Sequence, residues 1–294
     1  MASNSSSERV AVVICTGSYH TPAPYEPFMK ALVSSGLFEA YFPQRPTCDL
    51  NKLNVGDIDH PDLDRGPPPE GYPTDLDDMA VFHQLLERLV VREGKPVILL
   101  GHSSGGVIAT QAAMPELLYK TRHAQGHSGG VIGLFYVGAF LVPVGESAHS
   151  FFQPKDGTPV IRPFVRVSRS SHPAASRILE RGRDGGEDER WAATLTASPL
   201  NTGVLSNDGY SAMPCAYVVL DDDACLPQIY QENMIALQSQ RGNVFTVYHA
   251  PSGHSPHLAG QNRWSTRWLI SCIRFVEWRF PSMNKVNVSL NGCI

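Results

Sequence analysis

Residues 97–109 read Val-Ile-Leu-Leu-Gly-His-Ser-Ser-Gly-Gly-Val-Ile-Ala. An apolar run that does not alternate is a strand covered on both faces, as in the interior of a parallel sheet. The apolar segment after it, Gly106 to Ala113, has helical character. So sharp a passage from strand to helix needs residues without a Cβ. Gly101-His102-Ser103-Ser104-Gly105 supplies them as G-x-S-x-G, a pattern that lifts the central serine hydroxyl above the sheet on a strained turn. The Ser104 N–H then lies at a helix N-terminus, where the positive end of the dipole favours a developing anion. A glycine-rich connection without chemistry is the plainer reading, and the strand and helix on either side argue against it.

The surrounding chain has the same rhythm. Arg9–Cys15 is a β-branched apolar run, followed by a loop, a helix from Tyr25 to Ser35 that stops at Gly36, and a strand within Leu37–Phe42. A proline-rich connection that includes Arg65-Gly66-Pro67-Pro68-Pro69 leads to Thr74-Asp75-Leu76-Asp77, a capping-box-like helix start. Leu76, Met79, Ala80, His83, Leu86, Leu89 and Val90 follow at helical spacing and predict one buried face up to Gly94. Val131–Val142, Cys215–Leu220 and Val244–His249 read as further strands. This alternation predicts a single α/β domain with a mostly parallel, doubly wound sheet. Between about 146 and 212 the pattern breaks into short mixed segments, including the charge run Arg177–Arg190 and a helical-looking Trp191–Ala197. An inserted cap over the sheet's carboxyl edge, where such folds bind substrate, is expected there.

Composition narrows the partners. Lys and Arg number 24 against 28 Asp and Glu, a net charge of −4 with no basic stripe, which offers no footprint for nucleic acid or an anionic membrane. No run of about 18 apolar residues occurs, and the first ten residues lack the pattern of a secretory signal. Cys15, Cys48, Cys215, Cys225, Cys272 and Cys293 form no C-x-x-C or zinc-type spacing. Free thiols in a cytoplasmic protein are expected, with no metal and a small-molecule partner; a homodimer is compatible with the sequence.

A serine hydroxyl attacks only when a histidine takes its proton and a carboxylate fixes that histidine's tautomer. In this fold class the order along the chain is serine, acid, histidine. Ala216-Tyr217-Val218-Val219-Leu220 runs into Asp221, Asp222 and Asp223; Asp223, four residues before Pro227, is preferred and Asp221 comes second. His254, in Pro251-Ser252-Gly253-His254-Ser255-Pro256 just after the last strand, is the preferred base. His257 is its neighbouring alternative, His249 is expected to pack inside the strand, and His172 falls in the cap.

With these stretches the chain resembles the α/β-hydrolase superfamily, in particular the branch of methylesterases, hydroxynitrile lyases and small fungal hydrolases. The resemblance rests on Thr16-Gly17-Ser18-Tyr19-His20, the Ser103 turn, Val137-Gly138-Ala139-Phe140, the Asp223–Pro227 turn and Ser252-Gly253-His254-Ser255-Pro256. It implies a Ser103–His254–Asp223 triad, oxyanion donors at the N–H groups of Ser18 and Ser104, and a pocket lined by Tyr19, His20 and Phe140. Thr16 replaces the histidine usual in the oxyanion loop. Hydroxynitrile lyases of this branch carry a threonine in that loop and a lysine after the catalytic histidine, where this chain has Gly17 and Ser255. Hydrolysis of an ester, thioester or lactone through an acyl-enzyme, without a cofactor, is therefore the expected chemistry. The rival is a cyclase, lyase or isomerase of secondary metabolism that uses the triad as acid and base. Phe140, Phe151, Phe152, Phe164 and Trp191 suggest a hydrophobic substrate.

Overall fold

Strands β1 (Val10–Cys15), β2 (Phe38–Tyr41), β3 (Pro96–His102), β4 (Gly130–Val137), β5 (Val165–Val167), β6 (Ser176–Ile178), β7 (Leu195–Thr196), β8 (Cys215–Leu220) and β9 (Phe245–Ala250) follow one another in the computed structural model. It describes residues 9–18, 20–62, 65–152, 165–167, 176–178, 195–196 and 203–257. Six strands form one sheet in the order β2-β1-β3-β4-β8-β9, parallel at every pairing. β5, β6 and β7 form a separate antiparallel sheet.

The continuous apolar runs are explained by cover on both faces. β1, β3, β4 and β8 are buried along their whole length. Val12 and Ile14 of β1 face a core shared with Phe28 and Leu32 of helix α1 (Glu26–Ser34). Ala11, Val13 and Cys15 face the opposite core. That second core is closed by α2 (Asp75–Leu86), α3 (Gly105–Ala112) and, after the shorter helices α4 (Tyr119–Ala124), α5 (Ala148–Phe152) and α6 (Gly209–Ala212), by α7 (Gln228–Gln240). From β1 the chain crosses to β2 on one side, whereas from β3 it crosses to β4 on the other. The direction of crossing thus reverses between β1 and β3, and open α/β sheets bind ligands outside the carboxyl edge at such a reversal.

Four local readings change. The capping box at α2 forms, with the Asp77 carboxylate accepting from the Thr74 N–H at 2.7 Å and from its hydroxyl at 2.8 Å. The buried stripe, however, is Asp78, Phe82 and Leu86; Leu76 is 80% exposed and Ala80 is also exposed. Asp78 turns inward because Arg45 and Thr47 bind it there, and a hydrophobic periodicity ignores an inward acid. Beyond Leu86 the helix widens into a π-helical stretch, Glu87–Arg92, that buries Leu89 and Val90. The apolar run from Val131 to Val142 is buried except at Phe140, but β4 stops at Val137 because Gly138 takes φ +46° and turns the chain out of the sheet. His249 does not pack; its side chain is half exposed and bonds Asp221 at 2.8 Å, since alternate positions of an edge strand face outward. Leu195–Thr196 is strand, not helix, because so short a window carries no period that tells the two apart. Phe164 and the rest of Trp191–Ala197 lie outside the described residues. Among the described residues no helix is long and apolar enough to cross a membrane.

Candidate active site

Ser103 sits between the end of β3 and the start of α3 with φ +54°. The left-handed region costs an L-residue about 1–2 kcal/mol, so the surroundings must hold it there. The Ser103 carbonyl accepts N–H bonds from Phe140 at 2.9 Å and Gly106 at 3.1 Å, which pin the turn to the loop after β4 and to the helix. Gly105 has no freedom to be larger: a Cβ there would collide with the Cys15 carbonyl oxygen and lie 2.5 Å from that of Thr16. The first turn of α3 thus rests directly on the end of β1. Gly17 answers from the other side, since its Cβ would come 2.9 Å from the Ser103 Cβ.

The loops after β8 and β9 deliver the other two groups. They are tied by the Asp221 N–H to the Ala250 carbonyl at 2.9 Å and the Asp222 N–H to the Ser252 carbonyl at 3.1 Å. Asp223 Oδ1 accepts the N–H groups of Cys225 (2.8 Å) and Leu226 (2.7 Å), which orients the carboxylate before α7 begins. Its Oδ2 lies 2.7 Å from His254 Nδ1, and His254 Nε2 lies 2.9 Å from Ser103 Oγ. A carboxylate only accepts, so Nδ1 carries the proton and Nε2 presents its lone pair to the Ser103 hydroxyl. All three residues are buried, at 9% exposure or less. Burial alone would favour the neutral His254 ring, but the Cys225 sulfur and the Asp223 carboxylate outweigh it and hold its pKa well above the ordinary imidazole value.

Behind this line lies a cluster of rings. His102 Nε2 is 2.7 Å from the His254 carbonyl, which only accepts, so Nε2 carries the proton and Nδ1 accepts from the Tyr25 hydroxyl at 2.6 Å. Burial holds the His102 pKa well below the usual value and keeps the ring neutral in that tautomer. His20 is buried here, 5.9 Å from the His102 ring and 5.3 Å from His257. His257 stacks on Tyr25 at 3.9 Å and does not reach Ser103 or Asp223 with a hydrogen bond. Asp221 bonds His249 and Asp222 is exposed, so of the three consecutive acids Asp223 alone meets His254. Phe140 is partly exposed, with its ring 5.0 Å from that of Phe152. Tyr19 and His172 lie outside the described residues.

On the oxyanion side Ser18 Oγ and Ser104 Oγ are 2.7 Å apart. Arg45, 1% exposed, donates from Nε to Asp78 Oδ2 at 2.7 Å and from Nη1 to the Thr16 carbonyl at 3.1 Å and Ser104 Oγ at 3.4 Å. Desolvation works against its charge, and the Asp78 carboxylate restores it. Sequence reasoning missed this pair, along with Tyr25, His102 and Gln231, whose Nε2 donates to Asp223 Oδ2 at 3.4 Å. An acid at the core-facing position of α2 and an arginine in the loop four residues beyond the end of β2 were the signal for the pair. Among the described residues no group of three or more His, Cys, Asp or Glu side chains has the arrangement of a metal site.

Residues 12–263 match the alpha/beta hydrolase family, well over half of the chain. The chain belongs to that family. It is an enzyme of the α/β serine-hydrolase type. The alpha/beta hydrolase nvfD of Aspergillus novofumigatus is 24% identical over 257 residues, 85% of this chain and 91% of that protein. A pyrethroid hydrolase of Sphingobium wenxiniae is 28% identical over 220 residues, 69% of this chain and 73% of the relative. Among solved structures, a pyrethroid hydrolase superposes with a TM-score of 0.62 at 19% identity, covering 94% of this chain and 99% of its own. Polyneuridine aldehyde esterase gives 0.59 at 14% identity, covering 90% and 100%. At such identities the structural likeness speaks for the fold.

Proposed function

We propose that this family member hydrolyses a carboxylic ester, thioester or lactone of a small hydrophobic metabolite through an acyl-enzyme on Ser103. The observation that carries the reading is the unbroken line from Asp223 Oδ2 through His254 to Ser103 Oγ, with hydrogen bonds of 2.7 and 2.9 Å. Ser103 Oγ attacks the carbonyl carbon as its proton passes to His254 Nε2. The Ser18 and Ser104 N–H groups receive the oxyanion, and the imidazolium, held by Asp223, returns the proton to the leaving alcohol or thiol. Water, deprotonated by the same ring, then releases the acid and restores the serine. The reaction as written uses only the ester and water.

The apolar side chains of Phe140, Phe151 and Phe152 support a hydrophobic substrate, with ring centroids 5.0 Å apart between neighbours. Phe151 and Phe152 stand at the start of the insertion expected from about 146 to 212, most of which lies outside the described residues. The names of the relatives, pyrethroid hydrolase and polyneuridine aldehyde esterase, agree with ester cleavage.

The test is acid release from p-nitrophenyl esters and a thioester, followed across pH. His254 accepts a proton only when neutral, and its pKa is raised above the ordinary 6.5. The kcat/KM profile is therefore expected to fall on acidification, with the midpoint of that limb on the alkaline side of 6.5. Absence of acid release from every ester and thioester, or a limb centred below that value, contradicts the reading.

A further inference from the structure

The two hydroxyls beside the nucleophile form a relay whose direction can be read from donors and acceptors. A guanidinium only donates, so at the 3.4 Å contact between Arg45 Nη1 and Ser104 Oγ the serine oxygen accepts. Ser104 is buried at 2% exposure and needs an acceptor for its own proton; among the described residues that acceptor is Ser18 Oγ, at 2.7 Å. Were the Ser18–Ser104 bond to run the other way, the buried Ser104 proton would lose its acceptor and incur the desolvation penalty of an unsatisfied donor. Ser18 is only partly buried, so its proton can be given to water or to a bound oxygen instead. The order is thus Arg45 to Ser104 to Ser18, with the last O–H left to donate outward. It ends in the right place, because Ser18 follows Gly17, whose Cα packs against the Ser103 side chain closely enough to exclude a Cβ. The head of the relay is fixed by Asp78, 0% exposed, which takes the Arg45 Nε–H at 2.7 Å and the Thr47 hydroxyl at 2.7 Å.

We propose that the side-chain hydroxyl of Ser18 is a third oxyanion donor, beside the two backbone N–H groups, with its proton aimed by the Arg45–Ser104 relay; the inference rests on the ester-hydrolase reading above. A buried charge at one end of a hydrogen-bonded chain polarises each bond in it. The Ser18 O–H is correspondingly a stronger donor than a solvated serine, and its gain is largest when the carbonyl oxygen becomes an alkoxide. Its contribution therefore belongs to kcat rather than to ground-state binding.

Ser18→Ala and Ser104→Ala each remove a hydroxyl and keep the backbone N–H, so they isolate the side chains. With p-nitrophenyl butyrate, Ser18→Ala is expected to lower kcat and kcat/KM together, on the order of 100-fold, with KM changed less than about twofold. Ser104→Ala is expected to lower kcat by roughly tenfold through loss of aim, and the double variant to be no slower than Ser18→Ala alone. Ser18→Ala within about twofold of the wild-type kcat, or single effects that multiply in the double variant, overturns the inference while leaving the ester-hydrolase reading intact. A wild-type protein that neither hydrolyses the ester nor takes a fluorophosphonate on Ser103 overturns that reading and the inference with it.

Discussion

Ser103→Ala is expected to lower kcat for ester hydrolysis by about 10⁶-fold, the scale seen when a triad serine is removed from a hydrolase. The hydroxyl is the only atom lost, and the bonds that hold the turn run through the Ser103 carbonyl, which accepts from Phe140 and Gly106. Alanine carries the same Cβ and meets the same strain at φ +54°, so the thermal midpoint is expected to stay within a few degrees of wild type. Steady-state kinetics with calorimetry on the same sample separates the two effects. Turnover within tenfold of wild type would show that another group attacks.

Asp223→Asn is expected to lower kcat by about 10⁴-fold with little change in fold, the effect of presenting a triad histidine in the wrong tautomer. The asparagine oxygen can still accept the Cys225 and Leu226 N–H groups that Asp223 Oδ1 accepts at 2.8 and 2.7 Å. The side-chain NH₂ then faces His254 Nδ1 and donates to it, which forces the proton onto Nε2. That nitrogen now donates toward Ser103 Oγ and has no lone pair with which to take its proton. Imidazolium formed during turnover also loses the carboxylate that stabilises it. The checking measurement is kcat with the acid limb of kcat/KM, which is expected to move toward acid in this variant because one of the two groups that raise the His254 pKa is lost. An Asp223→Asn protein with wild-type kcat, or an Asp221→Asn protein with the greater loss, would move the acid to another position.

Much of the architecture was legible because its determinants are local. The run at 97–100 does not alternate, and a fully buried central strand has no polar face to alternate with. The glycines around Ser103 announced a turn, and the clash that a Gly105 Cβ would make with β1 shows why no other residue serves. The positions of Asp223 and His254 followed from strand ends, since each lies in the loop after β8 or β9. What stayed hidden depends on partners far along the chain. Arg45 and Asp78, 33 positions apart, are charged residues that a sequence reading places on the surface, yet each is buried by the other. The same pairing rotates α2 and exposes Leu76. The Tyr25 hydroxyl and the His254 carbonyl give His102 a defined tautomer, and both lie far from it along the chain. Tyr19 lies outside the described residues.

Whether Ser103 is the activated nucleophile is tested most directly by its covalent capture. Wild-type protein incubated with a fluorophosphonate and digested for mass spectrometry is expected to carry one adduct, on the peptide containing Ser103, with loss of all ester hydrolysis in proportion to labelling. Unlabelled Ser103 alongside full esterase activity, or an adduct on a different residue that abolishes turnover, would contradict the assignment.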